Sequence, residues 1–467
     1  MAVAANIDHN ATPSPAADAA RRATVAGLRE KLARLGGLAG PAGSASGATS
    51  AAAARAREAV ARAYAAPPLP RQPGFDAEAT PKGTAWVRCV NVDLTPLLRA
   101  AGATELGSAA DLLDLLAAPG PPGAGAAPAS PPAGPVAVLD IESLGLHGSG
   151  VVAFLVGVGL QRGTTLEVHQ VLLADPGDEA AQLSAVLDRL DAAAVLVTYN
   201  GRSFDVPVLR ARCIVNRLGD DGLDARPHCD LLGPVRRLFR DRLGVCTLRQ
   251  AEVELLGMDR VDDVPGFEAP ARYRAWLRGG GPEVLAGVVR HNELDLCATA
   301  VLGARLLAHV EGAMVGPVHA ADRYRLALHL ERRGEGPRSE HLLRDAIATR
   351  AGPWDRRAAH RLAHRLRRAG GPAQDEALHL WWTLWRADPT DLSAARALAI
   401  ALERVHLLDD AVTVCEHTLR VCAAMPPWRH AALRGAPHGG WHADWTRRLD
   451  RLRTRLARQC PTLYPTS

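Results

Sequence analysis

Val136-Ala-Val-Leu-Asp140-Ile-Glu142-Ser-Leu-Gly-Leu146 reads as a short buried strand, yet it carries two carboxylates. In a strand, positions i and i+2 face the same side, so Asp140 and Glu142 project together. Two carboxylates on one face of a buried strand repel each other unless a cation lies between them. Hard oxygen donors on rigid backbone are what Mg²⁺ or Mn²⁺ prefer. Alone, such a pair is also what a solvated strand end looks like, so its meaning rests on its surroundings.

Downstream, residues 151–161 and 164–173 read as two more strands, with a hairpin turn at Arg162-Gly163. Residues 178–190 have helical spacing through Ala181, Val186, Leu187 and Leu190. Residues 194–199 form another buried apolar run, 204–218 read as a helix, and 231–309 are mostly helical. Three strands, a helix, a strand and then helices predict a mixed α/β layer architecture.

Two further segments carry chemistry. In Thr198-Tyr-Asn200-Gly-Arg-Ser203-Phe204-Asp205, a buried strand runs into Asn-Gly, and Ser203 is expected to cap the next helix. Asp205 then falls in the first turn, where the helix dipole favours a carboxylate. Asn200 either pins the turn or faces a substrate. In Arg290-His291-Asn-Glu-Leu-Asp295, His291 and Asp295 are four apart and share one helix face. That pair reads either as a surface salt link or as a histidine beside a metal ligand.

In order, these segments are strand-D-x-E, N-x-x-x-F-D at a strand-to-helix turn, and H-x-x-x-D on a late helix. The set resembles the DEDD exonuclease superfamily of the ribonuclease-H-like fold, and more narrowly the YprB-type ribonuclease-H-like domain. Supporting matches are His228-Cys-Asp230-Leu-Leu232, Thr247-Leu248 and the stretch from Leu255 through Gly257, Arg260 and Asp263 to Gly266. The resemblance spans residues 136–310 and implies a mixed sheet flanked by helices. It further implies a 3′→5′ exonuclease in which Asp140, Glu142, Asp205 and Asp295 hold two divalent ions, Mg²⁺ or Mn²⁺, with His291 as the base. Asn200, Leu144 and Phe204 would meet the substrate, a nucleic acid strand or end. One departure stands out, because the histidine subgroup usually places its base five residues before the last Asp. A one-residue slip rotates a side chain by about 100° around a helix. Asp295 as ligand is therefore the firmer assignment. Asp230 is read as structural, with a role behind the metal ligands as the alternative. The competing readings are a structure-specific endonuclease on the same fold and an inactive scaffold that binds nucleic acid or protein.

A chain of 467 residues exceeds one hydrophobic core, and about three domains is the expectation. With 48% hydrophobic and 22% charged residues, wholesale disorder is excluded. Residues 1–80 are Ala/Gly/Pro-rich and are expected to be a largely flexible leader with one short helix near 19–35. Residues 81–118 read as a small folded piece, and 119–135 as a Pro/Gly linker.

Beyond residue 320 no strand is predicted. Helical segments come in pairs broken by Gly or Pro, and Asp375-Glu-Ala377 and Asp409-Asp-Ala411 lie 34 residues apart. That period resembles a degenerate tetratricopeptide repeat. Seven of the nine tryptophans lie here and are expected to be helix-packing core.

The formal net charge of +5 divides into +9 for residues 320–467 and −4 for the rest, and only Lys31 and Lys82 are lysines. The basic tail is either an Arg-rich helical surface or a surface that holds a polyanion; a protein partner for the helical region is the further expectation. The eight cysteines are scattered without a CxxC pair, which suggests reduced thiols rather than a disulfide framework. No run approaches the roughly 18 apolar residues of a membrane span. No membrane association and a cytoplasmic location are expected.

Overall fold

The computed structural model describes residues 72–116, 134–145, 150–219, 223, 226–260, 263–350, 352–426 and 441–459. The expected helix at 19–35, most of the 119–135 linker, Leu146, Trp428 and Cys460 lie outside the described residues.

A seven-stranded sheet is built from β1 (Asp76–Thr80), β2 (Gly83–Asp93), β3 (Val136–Leu144), β4 (Val152–Arg162), β5 (Thr165–Leu172), β6 (Val195–Thr198) and β7 (His228–Asp230). Its order is β1-β2-β5-β4-β3-β6-β7. The first five strands in that order pair antiparallel, while β3, β6 and β7 run parallel. The mixed sheet agrees with the expected fold class. It also extends further than the sequence reading: β1 lies inside the expected leader, and β2 pairs with β5 from Trp86 to Asp93. Gly83–Asp93 is thus part of the same sheet. The three-residue β7 falls in the His228-Cys-Asp230 motif, and is too short for any periodicity to betray it.

Helices cover both faces. In chain order they are α1 (Thr95–Ala100), α2 (Ala109–Leu116), α3 (Glu179–Asp191), α4 (Asp205–Val215), α5 (Leu232–Leu243), α6 (Leu248–Ala251), α7 (Ala269–Leu277) and α8 (Glu283–Glu311). A π turn, Glu252–Leu256, follows α6. One sheet face carries Val136, Val138, Val168 and Val197 against Leu296, Val301 and Leu302 of α8. The other carries Leu139, Val158, Val171 and Leu196 against Leu183, Val186 and Leu209 of α3 and α4. The strict alternation of these side chains follows from the period of two in a strand.

The rest is helical: α9 (Ala320–Arg332), α10 (Gly336–Ala348), α11 (Pro353–Ala369), α12 (Ala373–Ala387), α13 (Leu392–Arg404), α14 (Leu408–Ala423) and α15 (Trp441–Gln459). Consecutive members pack on one another around a shared apolar core. Ala377 on α12 and Ala411 on α14, the two small residues at the repeated offset, are both fully buried. Trp381, Trp385, Trp441 and Trp445 are core, while Trp354 and Trp382 are half-buried. Asp322 of α9 is paired to Arg242 of α5 at 3.1 Å, and Arg325 to Asp241 at 2.5 Å, which ties the helical region to the sheet region.

Candidate active site

β3 outruns its parallel neighbour. β6 pairs with it only at residues 136–138, so the strand edge at Asp140–Glu142 lacks a ladder partner on that side. The chain leaving β6 turns at Asn200, whose φ is 67°, and enters α4 at Asp205. There the buried Asp205 carboxylate takes the place of the missing strand: its Oδ1 accepts from the Ile141 backbone N–H at 3.2 Å. Asp205 thus does not cap its own helix. Ser203 does not cap it either: Phe204 holds the N-cap position without a side-chain bond, and the Ser203 hydroxyl donates to Asn200 Oδ1 at 2.8 Å. Asn200 therefore pins the turn through its side chain. A register irregularity between Glu142 and Ser143 bends β3 just past the two carboxylates.

Asp140 faces α8 and is held by a chain of hydrogen bonds that starts in its own row across the sheet. The register aligns Asp140, Gly157, Gln170 and Arg88 on β3, β4, β5 and β2. Arg88 donates to Gln170 Oε1 at 2.5 Å, and Gln170 donates to Asn292 Oδ1 at 2.9 Å. Asn292, fully buried on α8, then donates to Asp140 Oδ2 at 2.8 Å. Gly157 makes this approach possible, because a Cβ there would stand 2.3 Å from Asn292 Oδ1.

Asp140, Glu142 and Asp205 form no ion pair with a basic side chain among the described residues. Burial first, and then the neighbouring Asp295, Asp205 and Glu142 charges, hold the Asp140 carboxyl far above its ordinary range. Burial, with Asp295 and Asp263, pushes Glu142 to about 8. Asp205 rises to about 7, chiefly through burial, although backbone N–H groups counter it.

Asp295 and His291, on α8, have company that the sequence reading did not assign. Arg260, with only 4% of its side chain exposed, donates to Asp295 Oδ1 at 2.5 Å, to Asp263 at 3.0 Å and to Glu252. Burial works against this cation, but Asp295 and Glu252 outweigh it and hold the guanidinium above its usual range. Glu252, delivered by the π turn, is pushed by burial to about 7. His291 Nδ1 lies 2.8 Å from Asp263 Oδ2, and its Nε2 lies 3.7 Å from Asp295 Oδ2. These groups line a cavity of about 390 Å³ with Pro265 and Gly266.

Leu144 and Phe204 are half-buried, each packed on an apolar cluster. Asp230 accepts from the backbone N–H groups of Asn200, Arg202 and Leu232 at 2.9–3.0 Å, which is the geometry of a turn clamp.

Residues 137–307 match the RNase_H superfamily model. This region is an RNase H superfamily domain. Over 189 residues the chain is 33% identical to YprB, an uncharacterized protein of Bacillus subtilis (strain 168). The match covers 40% of this chain and 46% of that relative, so the chain spans less than half of the relative's length. Among solved structures, the family B DNA polymerase from the hyperthermophilic archaeon Pyrobaculum calidifontis matches at 17% identity with a TM-score of 0.30. That match covers 44% of this chain and 30% of the polymerase.

RNase H-like domains generally use divalent metal ions, and the donor set here suits them. The buried Glu142 and Asp205 and the half-buried Asp140, without a basic partner among the described residues, repel one another, and a hard cation is what relieves that repulsion. They do not close on one point, however. Among the described residues, the group of three donors lying within 4.8 Å of one another is a different one, Cys89, Glu167 and His169. Arg260, seated on Asp295, keeps the fourth carboxylate with itself. Of the groups to which the sequence reading gives no role in the site, Arg260 and Asp263 lie in the 255–266 stretch and Asn292 in the His291–Asp295 segment. Gln170 had no signal beyond being polar on a buried strand.

Proposed function

We propose that the RNase H-like domain is a metal-dependent nuclease, a 3′→5′ exonuclease that hydrolyses terminal phosphodiester bonds. The observation that carries this reading is the grouping of Asp140 and Glu142 on β3 with Asp205 on α4, near enough for their charges to act on one another and without a basic partner among the described residues. Asp140, Glu142, Asp205 and Asp295 would hold two divalent ions, Mg²⁺ or Mn²⁺. Such ions, when bound, supply charge stabilisation at the attacking and leaving oxygens of a phosphodiester. Asn292 fixes one Asp140 oxygen and leaves the other free to bind. His291, its Nδ1 anchored on Asp263, would take the proton of the attacking water at Nε2. Leu144 and Phe204, with the Asn200 turn, would flank the terminal nucleotide. The helical region, read as a tetratricopeptide-like stack, would guide the strand or bind a protein partner.

Arg260 favours a second reading. A guanidinium that already neutralises Asp295 and Glu252 suits a scaffold that binds nucleic acid without cutting it. End-labelled DNA and RNA oligonucleotides, and a circular single strand, incubated with Mn²⁺ or Mg²⁺ separate the readings. The exonuclease reading expects stepwise shortening of linear substrate, an intact circle, and no cleavage by Asp140→Asn. A cut circle would establish an endonuclease. Bound but uncut substrates with either metal would establish the scaffold.

A further inference from the structure

On the sheet face opposite to Asp140, three chemically different donors converge. Cys89 on β2 lies directly across from His169 on β5, in the row that continues through Val158 to Leu139. Glu167 sits two residues before His169 and so shares its face. One donor atom from each lies within 4.8 Å of the other two. Residues directly opposite in an antiparallel pair have Cβ atoms about 4.5–5.5 Å apart, close enough for two side chains to reach one ion.

The ligand chemistry is set by the donors. A thiolate, an imidazole and a carboxylate form a mixed set that suits borderline ions of the zinc type, not Mg²⁺ or Mn²⁺. His169 already points Nε2 at Glu167 Oε1, 3.1 Å away, while its buried Nδ1 has no hydrogen-bond partner among the described residues. Burial and then Arg189 hold the imidazole below its ordinary pKa, which favours the neutral form that binds metal. Burial and Glu167 hold the Cys89 thiol up, so binding must release its proton to water. The surrounding charges leave room for a cation. Glu78 is matched by Arg189 at 2.6 Å, and Glu167, besides His169, meets the exposed Arg162 at 3.2 Å, which can swing into solvent. Arg88 points to the other face, where it meets Glu293. Cys89 is exposed, which leaves a coordination position open to water.

We propose that Cys89, Glu167 and His169 bind one divalent ion of the zinc class, distinct from the carboxylate cluster, and so clamp β2 onto β5. Co²⁺ is a suitable probe, because a thiolate ligand gives it a near-ultraviolet charge-transfer band that oxygen ligands do not. Titrated into the full chain, Co²⁺ should raise that band to a plateau at one equivalent, and Zn²⁺ should abolish it. Cys89→Ser should remove the band, His169→Gln should weaken binding on the order of tenfold or more, and Asp140→Asn should leave the band intact. Circular dichroism on each variant checks that it is folded. A folded wild type without the band overturns the proposal, as does a band that survives in Cys89→Ser. If Cys89→Ser does not fold, His169→Gln decides alone: unchanged affinity in that variant overturns the site.

Discussion

In the RNase H-like domain, Asp140, Glu142 and Asp205 act on one another with no basic partner among the described residues, whereas the helical region pairs its acids with its arginines. Arg344 lies between Glu340 and Glu376, Arg361 pairs with Glu331 at 2.7 Å, and Arg448, Arg451 and Arg455 gather around Glu403. The acids of residues 320–467 are thus largely taken up by arginines, and the +9 excess is spread over the arginines that outnumber them. In the other part, the three carboxyls Asp140, Glu142 and Asp205 stand close together without an arginine or lysine partner among the described residues. Cations should act strongly on the first region and weakly on the second, and that contrast can be broken at several points.

The largest effect is expected at Asp140. Asp140→Asn keeps the size and one acceptor but removes the charge, and cleavage in Mn²⁺ should fall by about 10³-fold or more in single-turnover assays. A variant within tenfold of wild type would mean that the buried carboxylates are not the catalytic centre. Next is Arg260→Met. It leaves Asp295, Glu252 and Asp263 without their shared cation, and breaking a buried pair costs about 3–5 kcal/mol. Urea unfolding in chelator should show that loss, and Mn²⁺ should recover part of it. If Mn²⁺ recovers nothing, the cluster around Asp295 is a structural ion-pair network and not a cation site.

Gly157→Ala probes the same contrast through packing. Its Cβ would stand 2.3 Å from Asn292 Oδ1 and 2.7 Å from Leu296 Cδ1, both on the α8 helix that fixes Asp140. Overpacking of this kind costs about 1–3 kcal/mol. Cleavage should fall together with the unfolding midpoint, since α8 can only retreat by loosening the Asn292 bond. A stable variant with unchanged activity would show that the Arg88–Gln170–Asn292 chain does not position Asp140.

That chain also marks where the sequence stops being informative. Asp140 and Glu142 are legible because a period of two on an apolar strand admits one geometry, and Asp205 and Asp295 because local turn and helix chemistry place them. Arg88 and Asn292 are about two hundred residues apart, and nothing local tells either that Gln170 stands between them. The β2–β5 pairing was missed for the same reason: the two strands are separated in sequence by a Pro/Gly-rich stretch that looks like a domain boundary. Ser203 shows the opposite failure. Its residue type is right for an N-cap, but Asn200 in the left-handed region claims the hydroxyl first.

The pH dependence should have a definite direction. Glu142 is held up to about 8 and Asp205 to about 7, so the folded state retains protons that the unfolded chain releases near pH 4. A raised carboxyl pKa costs nothing below the unfolded value and destabilises progressively as pH climbs to the folded one. In chelator, the melting temperature should therefore fall between about pH 5 and pH 8, and Mn²⁺ should oppose the fall at the upper end. A melting temperature that rises across this window in chelator would contradict the burial of unpaired carboxyls.

The smallest effect belongs to the helical region. Arg344 bridges Glu340 at 2.9 Å and Glu376 on the next helix pair, and both acids favour its charged form. All three side chains are nonetheless well exposed, so water and salt already screen them. Arg344→Ala should cost less than about 1 kcal/mol, and the cost should shrink further as salt is added. The apolar seam through Ala377, Trp381 and Leu398 would still hold the helices together. A loss well above that figure, insensitive to salt, would mean that the guanidinium–carboxylate pairs cooperate as a network. The tail's arginines would then be committed to holding its own helices, and few would remain to meet a phosphate backbone.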